Sequence, residues 1–147
     1  MTYLLDTNIV LRLIDSKSLE HDVVKRALMK IYQAEDVAVI VPQNIIELWA
    51  VASRPTSANG LGFTLERTRT EIDDLLERYN LLSDQESLFG VWLELVTVHQ
   101  VSGKQVHDTK LVAAMMTHGI DNILTINTAD FKRFTQVKVV HPLEVTQ

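Results

Sequence analysis

Short, unbroken apolar runs alternate along this chain with longer stretches whose apolar positions recur every three or four residues. The runs fall at Tyr3 to Leu5, Val37 to Val41, Ile123 to Ile126 and Val137 to Val140, with a weaker one at Asn80 to Leu82. Val39-Ile40-Val41 and Ile123-Leu124 are continuous rather than alternating, which is the character of strands buried on both faces of a parallel sheet. Between them the helical period predicts helices over about 8–14, 20–34, 43–53, 64–79, 85–99 and 107–118, the last stopped by Gly119 in the place of a C-terminal cap. Strand followed by helix, repeated, predicts an α/β layer fold with a mostly parallel sheet.

Such sheets present ligands with the carboxyl ends of their strands, where the strand order reverses. The residues just after each strand therefore matter most. They are Asp6-Thr7-Asn8 after the first, Pro42-Gln43-Asn44 after the second and Asn127-Thr128-Ala129-Asp130 after the fourth. All three clusters are polar. Pro55 to Gly62, PTSANGLG, is the one obvious loop, and neither repeats nor low-complexity tracts interrupt the pattern.

Composition narrows the possibilities. A chain of 147 residues, 46% hydrophobic and 22% charged, suits one domain over 1–147 with a sizeable core. Its apolar runs are far shorter than the roughly 18 residues of a membrane span, and Asp6 interrupts any hydrophobic leader, so the expectation is a cytoplasmic protein with no membrane partner. The absence of cysteine excludes disulfides, thiolate zinc sites and thiol nucleophiles. A net charge of −5 gives no global pull toward nucleic acid. The local basic sets, Lys25, Arg26 and Lys30, then Arg67 and Arg69, then Lys132 and Arg133, read as solvated helix faces.

Four carboxylates are harder to explain away. Glu47 sits in the apolar helix QNIIELWAVASR with no basic residue three or four positions away. A buried, unpaired carboxylate is costly, so it needs a neutralising partner: an ion pair with Arg54, or something else. Asp108 opens HDTKLVAAMMTHG, where it could serve as an N-cap. Asp6 could form an Asx-turn and Asp130 could cap a short turn. Considered together, all four belong to the same edge of a parallel sheet, where they repel one another unless hard cations lie between them. Oxygen-only donor sets suit Mg²⁺ or Mn²⁺. Neither cysteine nor a zinc-type spacing among His21, His99, His107, His118 and His141 supports zinc. Carboxylate-held Mg²⁺ suits phosphodiester hydrolysis, since the cation acidifies water and stabilises charge on the leaving oxygen. GLGF at 60–63 matches no nucleotide fingerprint.

LLDTNIVLRLID, VPQNIIELWAV and HDTKLVAAMMTHGIDNILTINTADFKRF resemble the PIN-domain ribonucleases, especially the VapC-type toxins of bacterial toxin-antitoxin pairs, over the whole chain. The resemblance implies a three-layer α/β/α sandwich with a parallel sheet of about five strands and Mg²⁺- or Mn²⁺-dependent cleavage of RNA. Position by position, Asp6, Glu47 and Asp108 match the family's first three acids, and these three are the implied catalytic and metal-holding residues. The fourth acidic place falls in TINTADF, where this chain has Asn127; either Asn127 serves there or Asp130 substitutes. Asn8, Thr7 and Thr125 match polar residues that line the site, with Asn8 expected to orient Asp6. Arg54, Lys104 and Lys110 are the nearest basic residues in sequence for a substrate phosphate. A cognate antitoxin and a homodimer are further implications, for which Ile31, Tyr32, Leu75 and Leu76 could supply apolar surface. Two rival readings are a PIN-like binding module that does not cut, with Asn127 as the sign of a weakened site, and a receiver-like domain with Asp6 as phosphoacceptor. The second lacks an acidic pair before Asp6.

Overall fold

The computed structural model describes residues 1–147. Strand β1 (Thr2–Leu5) runs straight into α1 (Thr7–Ile14), followed by α2 (His21–Gln33), β2 (Val37–Ile40), α3 (Pro42–Ser53), α4 (Leu65–Arg78) and β3 (Asn80–Leu81). The second half comprises α5 (Leu88–Val98), α6 (Gln105–His118), β4 (Asn122–Leu124), β5 (Lys138–Val140) and α7 (Pro142–Thr146). Short 3-10 turns lie at Thr56–Ala58 and Thr128–Phe131.

The five strands form one all-parallel sheet in the order β3-β2-β1-β4-β5. Parallel neighbours require crossover connections, and the helices that make them cover both faces. Alternation along the strands then divides the core in two. Tyr3, Leu5, Ile40 and Leu124 pack with Ile9, Val24, Leu28, Leu48 and Ile72 on one face. Leu4, Val39, Val41 and Ile123 pack with Leu95, Leu111, Met115 and Phe131 on the other. The result is the three-layer α/β/α arrangement. The chain winds outward from β1 through β2 to β3, then returns to the far side of β1 to lay down β4 and β5. The strand order therefore reverses between β1 and β4, and the carboxyl ends of these two strands frame a crevice.

Several boundaries move relative to the sequence reading. β4 ends at Leu124, so Thr125 and Ile126 lie past it, although the Thr125 N–H still donates to the Val140 carbonyl at 3.0 Å. α5 starts at Leu88, later than its apolar pattern suggests, and α6 starts earlier, at Gln105. Gly119 closes α6 at φ +67, with the Ile120 N–H reaching back to Met115 O at 2.8 Å. Gly60 is also required, because a Cβ there would lie 2.1 Å from Arg54 O. Of the apolar residues considered surplus to the core, Ile31 and Leu75 are buried, while Tyr32 and Leu76 are exposed. No helix is long and apolar enough to cross a membrane.

Candidate functional site

Asp6 is the hinge between β1 and α1. Its N–H continues the sheet by donating to Leu124 O at 2.9 Å, and its side chain turns back to cap α1, with Oδ1 accepting the Thr7 N–H at 2.7 Å. Oδ2 accepts from Thr125 Oγ1 at 2.7 Å and from Asn8 Nδ2 at 3.2 Å. A hydroxyl has one proton and two lone pairs. Thr125 gives its proton to Asp6 and accepts from Asn8 Nδ2 at 3.2 Å and the Asn127 N–H at 3.0 Å. Asn8 is itself fixed by the Ile126 N–H on its Oδ1 at 3.3 Å. The Asp6 carboxylate is thus held in a cradle of donors while only 6% exposed.

Glu47 projects from the second turn of α3. Its Oε1 accepts the Thr7 hydroxyl at 2.6 Å, and Gln43 Nε2 stands 3.5 Å from Oε2. Thr7 is aimed by Asn44, a fully buried residue that the sequence reading placed after the second strand but gave no role. Asn44 Oδ1 accepts the Val41 N–H at 2.8 Å, which completes one arm of a helix cap, and its Nδ2 donates to Leu5 O at 3.0 Å and Thr7 Oγ1 at 3.1 Å. With a donor already on its oxygen, Thr7 directs its proton to Glu47. Gln43, from the same cluster and likewise given no role, donates from Nε2 to His107 O at 2.8 Å and ties α3 to the first turn of α6. The signal for both was the QN pair set between a strand and an apolar helix.

Two explanations that would have made the acids merely structural fail. Asp108 is not an N-cap: Lys104 holds that position, and Asp108 lies in the first turns of α6. Glu47 has no ion pair with Arg54, which closes the C-terminal end of α3 with its side chain exposed. None of Asp6, Glu47, Asp108 and Asp130 takes part in any salt bridge.

The electrostatics follow. Burial raises the Asp6 carboxyl from 3.8 to about 6; the bonds from Thr125 and Thr7 oppose the rise, and the charges of Glu47 and Asp130 add to it. Burial also raises Asp108, to about 7, reinforced by Asp6, Asp130 and Glu47 and opposed by Lys104. The charges of Glu47 and Asp130 therefore act on both raised carboxyls across the crevice. Asp130, in the 3-10 turn after β4, contributes its charge to both Asp6 and Asp108, whereas Asn127 begins that turn and bonds Thr125 through its backbone alone. Lys104 is close enough to act on Asp108, and Lys110 pairs with Asp84 at 3.7 Å. Arg54 acts on neither raised carboxyl.

No three acidic or histidine side chains are gathered tightly enough to grip an ion as they stand. The donor set nonetheless fits a hard cation. It is all oxygen, its charges repel, and no basic side chain forms an ion pair with it, Lys104 acting on Asp108 alone and from a distance beyond a salt bridge.

Comparison with known proteins agrees with this architecture. Among solved structures, the chain is similar to VapBC2 from Rickettsia felis, bound to a promoter DNA fragment (TM-score 0.76, 19% identity, 96% of this chain and 98% of that one). It is similar to VapBC-1 from nontypeable Haemophilus influenzae (TM-score 0.73, 21% identity, 97% and 99% covered). It is also similar to VapC20 from Mycobacterium tuberculosis, a toxin that cleaves the sarcin-ricin loop (TM-score 0.64, 16% identity, 84% and 87% covered). No curated protein matches the chain. The family model for the PIN domain matches residues 3–137, and the chain belongs to the PIN-domain family.

Proposed function

We propose that this protein is a metal-dependent endoribonuclease and the toxin of a toxin-antitoxin pair. The observation that carries the reading is that Asp6, Glu47, Asp108 and Asp130 come together at the carboxyl edge of β1 and β4 with no salt bridge to any of them. A fold builds such a cluster at a cost to its own stability, and a divalent cation between the acids reverses that cost.

Asp6, Asp108 and Glu47 would hold Mg²⁺ or Mn²⁺, with Asp130 supplying the fourth acid and Asn127 a neutral oxygen beside it. When bound, the cation supplies Lewis-acid stabilisation of the phosphodiester and acidifies water for in-line attack. The chain's own contribution is positional. Thr125, Asn8 and the Thr7 N–H fix Asp6, while Asn44 acting through Thr7 fixes Glu47. Lys104, whose charge acts on Asp108, is the basic residue best suited to meet substrate phosphate; Lys110, paired with Asp84, and Arg54, at the far end of α3, are weaker candidates. A cognate antitoxin is part of this reading, supported by relatives that are themselves toxin-antitoxin complexes. So is a homodimer, with exposed Ile46 and Trp49 on α3 as apolar surface for a second copy to cover. Action in the cytoplasm, where RNA is found, completes it.

The rival reading, a PIN domain that binds RNA or a partner without cutting, is favoured by the loose spacing of the acids. One assay separates the two. A mixed RNA pool is incubated with the wild type and with Asp6→Asn, each with Mg²⁺, with Mn²⁺ and with chelator. Cutting by the wild type alone, and only with metal, is the expected result; intact RNA in every lane favours the binder.

A further inference from the structure

A cleft lies outside the carboxylate cluster but shares a helix with it. It has a volume of about 690 Å³ and is walled by Leu88, Phe89, Trp92 and Val106. Phe89 is 67% exposed, which is unusual for so large an apolar side chain. Its ring centroid lies 6.0 Å from that of Trp92 with the planes tilted 33° apart. Trp92 is held in place because its Nε1–H donates to Val106 O at 2.8 Å, so its ring is a fixed wall.

Position links this cleft to the acids. His107 and Lys110 line it and bracket Asp108 in sequence, and successive residues of a helix turn by about 100°. The first turn of α6 therefore forms a ridge with Asp108 on one side and the cleft on the next. Gln43 anchors the site side of that ridge through His107 O, and Trp92 anchors the cleft side through Val106 O, one residue apart.

The chemistry of the cleft identifies its occupant. It is a poor phosphate site: its lysine is already paired with Asp84, and Glu86 adds a further negative charge. What it offers is two aromatic side chains, Phe89 and Trp92, with Asp84, Gln85 and Glu86 as hydrogen-bond acceptors in the same lining. A flat, uncharged heteroaromatic ring with N–H groups on its edge satisfies both. We infer that the cleft receives one unpaired nucleobase next to the scissile phosphate, stacked on Phe89 and Trp92, and that bases carrying an exocyclic amine are preferred over uracil. This rests on RNA being the substrate. It makes α5 the element that restricts cutting to single-stranded segments, since a base inside a duplex cannot turn into the cleft.

The test uses Asp6→Asn to silence cleavage and Trp49→Phe to leave Trp92 as the sole tryptophan. Fluorescence of Trp92 is titrated in Mg²⁺ with oligoadenylate of ten nucleotides, with oligouridylate, and with an abasic decamer. Oligoadenylate should quench Trp92 and bind about tenfold more tightly than the abasic strand, in line with the loss of one stacked base. Adding Phe89→Ala should remove that tenfold advantage and leave abasic binding unchanged. Equal affinity for the two strands, or an equal loss on both in Phe89→Ala, overturns the inference. So does a Phe89→Ala protein that binds both strands normally but sediments as a smaller species, because a second copy of the chain then covers this face. A protein that binds oligoadenylate at Trp92 yet cuts no RNA in the wild-type assay keeps the base-binding cleft and loses the nuclease reading.

Discussion

Asp6 and Asp108 reach the same edge of the sheet from opposite kinds of structure. Asp6 stands at a strand-to-helix junction and meets three donors, from Thr7, Asn8 and Thr125. Asp108 stands within a helix, where the backbone N–H groups beyond the first turn are already engaged, and its only favourable influence is the charge of Lys104. Asp6 is the more deeply buried, yet Asp108 is the more strongly raised, to about 7 against about 6. Hydrogen bonds to a charge can thus outweigh greater burial. The cradle on one side of the crevice is complete in hydrogen bonds; the other side has no such donors.

The largest effect should come from removing the unsupported acid. Loss of groups that only orient a ligand typically costs about 10–100-fold, so removal of the ligand in Asp108→Asn should lower metal-dependent cleavage by on the order of 10³-fold. The same change should raise the melting temperature of the metal-free protein at pH 8, because it deletes a repelled charge. Asp6→Asn should stabilise the metal-free protein less, since it leaves donors facing a single acceptor oxygen. Equal gains in melting temperature would erase the distinction between the two acids.

A smaller effect should appear on titration. Both carboxyls hold protons more tightly in the folded chain than at the unfolded value of 3.8, so the stability they confer is full below about pH 4 and is lost as pH rises through about 6 and 7. Denaturant unfolding in chelator should show a fall on the order of 2–4 kcal/mol between about pH 4 and pH 8, expressed by the coupled pair rather than by either acid alone. Saturating Mg²⁺ should flatten that slope, and a slope unchanged by Mg²⁺ would count against a cation between the acids.

The smallest effect sharpens the cradle itself. Thr125→Val keeps the shape of the side chain and removes the proton given to Asp6, which should cost about 1.5–3 kcal/mol by urea unfolding at pH 8. Arg54→Ala, outside both settings, should leave that curve unchanged.

How much of this was legible in the sequence varies with the kind of signal. The sheet was readable because Val39-Ile40-Val41 and Ile123-Leu124 are apolar on both faces, a property each run carries locally. The start of α6 was not. Its cap is Lys104, whose side chain makes no capping bond, so the rule that looks for a short polar residue settled on Asp108 instead. The role of Asn44 was hidden for a related reason: an amide between Val41 and Ile45 looks like ordinary helix-start polarity until its bonds to Leu5 O and Thr7 Oγ1, nearly forty residues earlier, are seen beside the one from Val41. The cleft of Phe89 and Trp92 was invisible as well, because apolar residues on α5 read as core and only packing shows which of them the core leaves out.

The separation of Asp6 from Thr125 along the chain has a bearing on synthesis. They stand 119 positions apart, and Asn8 and Ile126 are almost as distant, at 118. Pairing of this range comes late and slowly, because the intervening chain must be ordered first. Asp6 is made long before Thr125, and its cradle cannot close until β4 has been made and docked beside β1. A half-made chain, or one released before Thr125, therefore lacks the donors that fix Asp6. Under the ribonuclease function proposed above, that delay spares the messenger and the machinery that are still producing the chain.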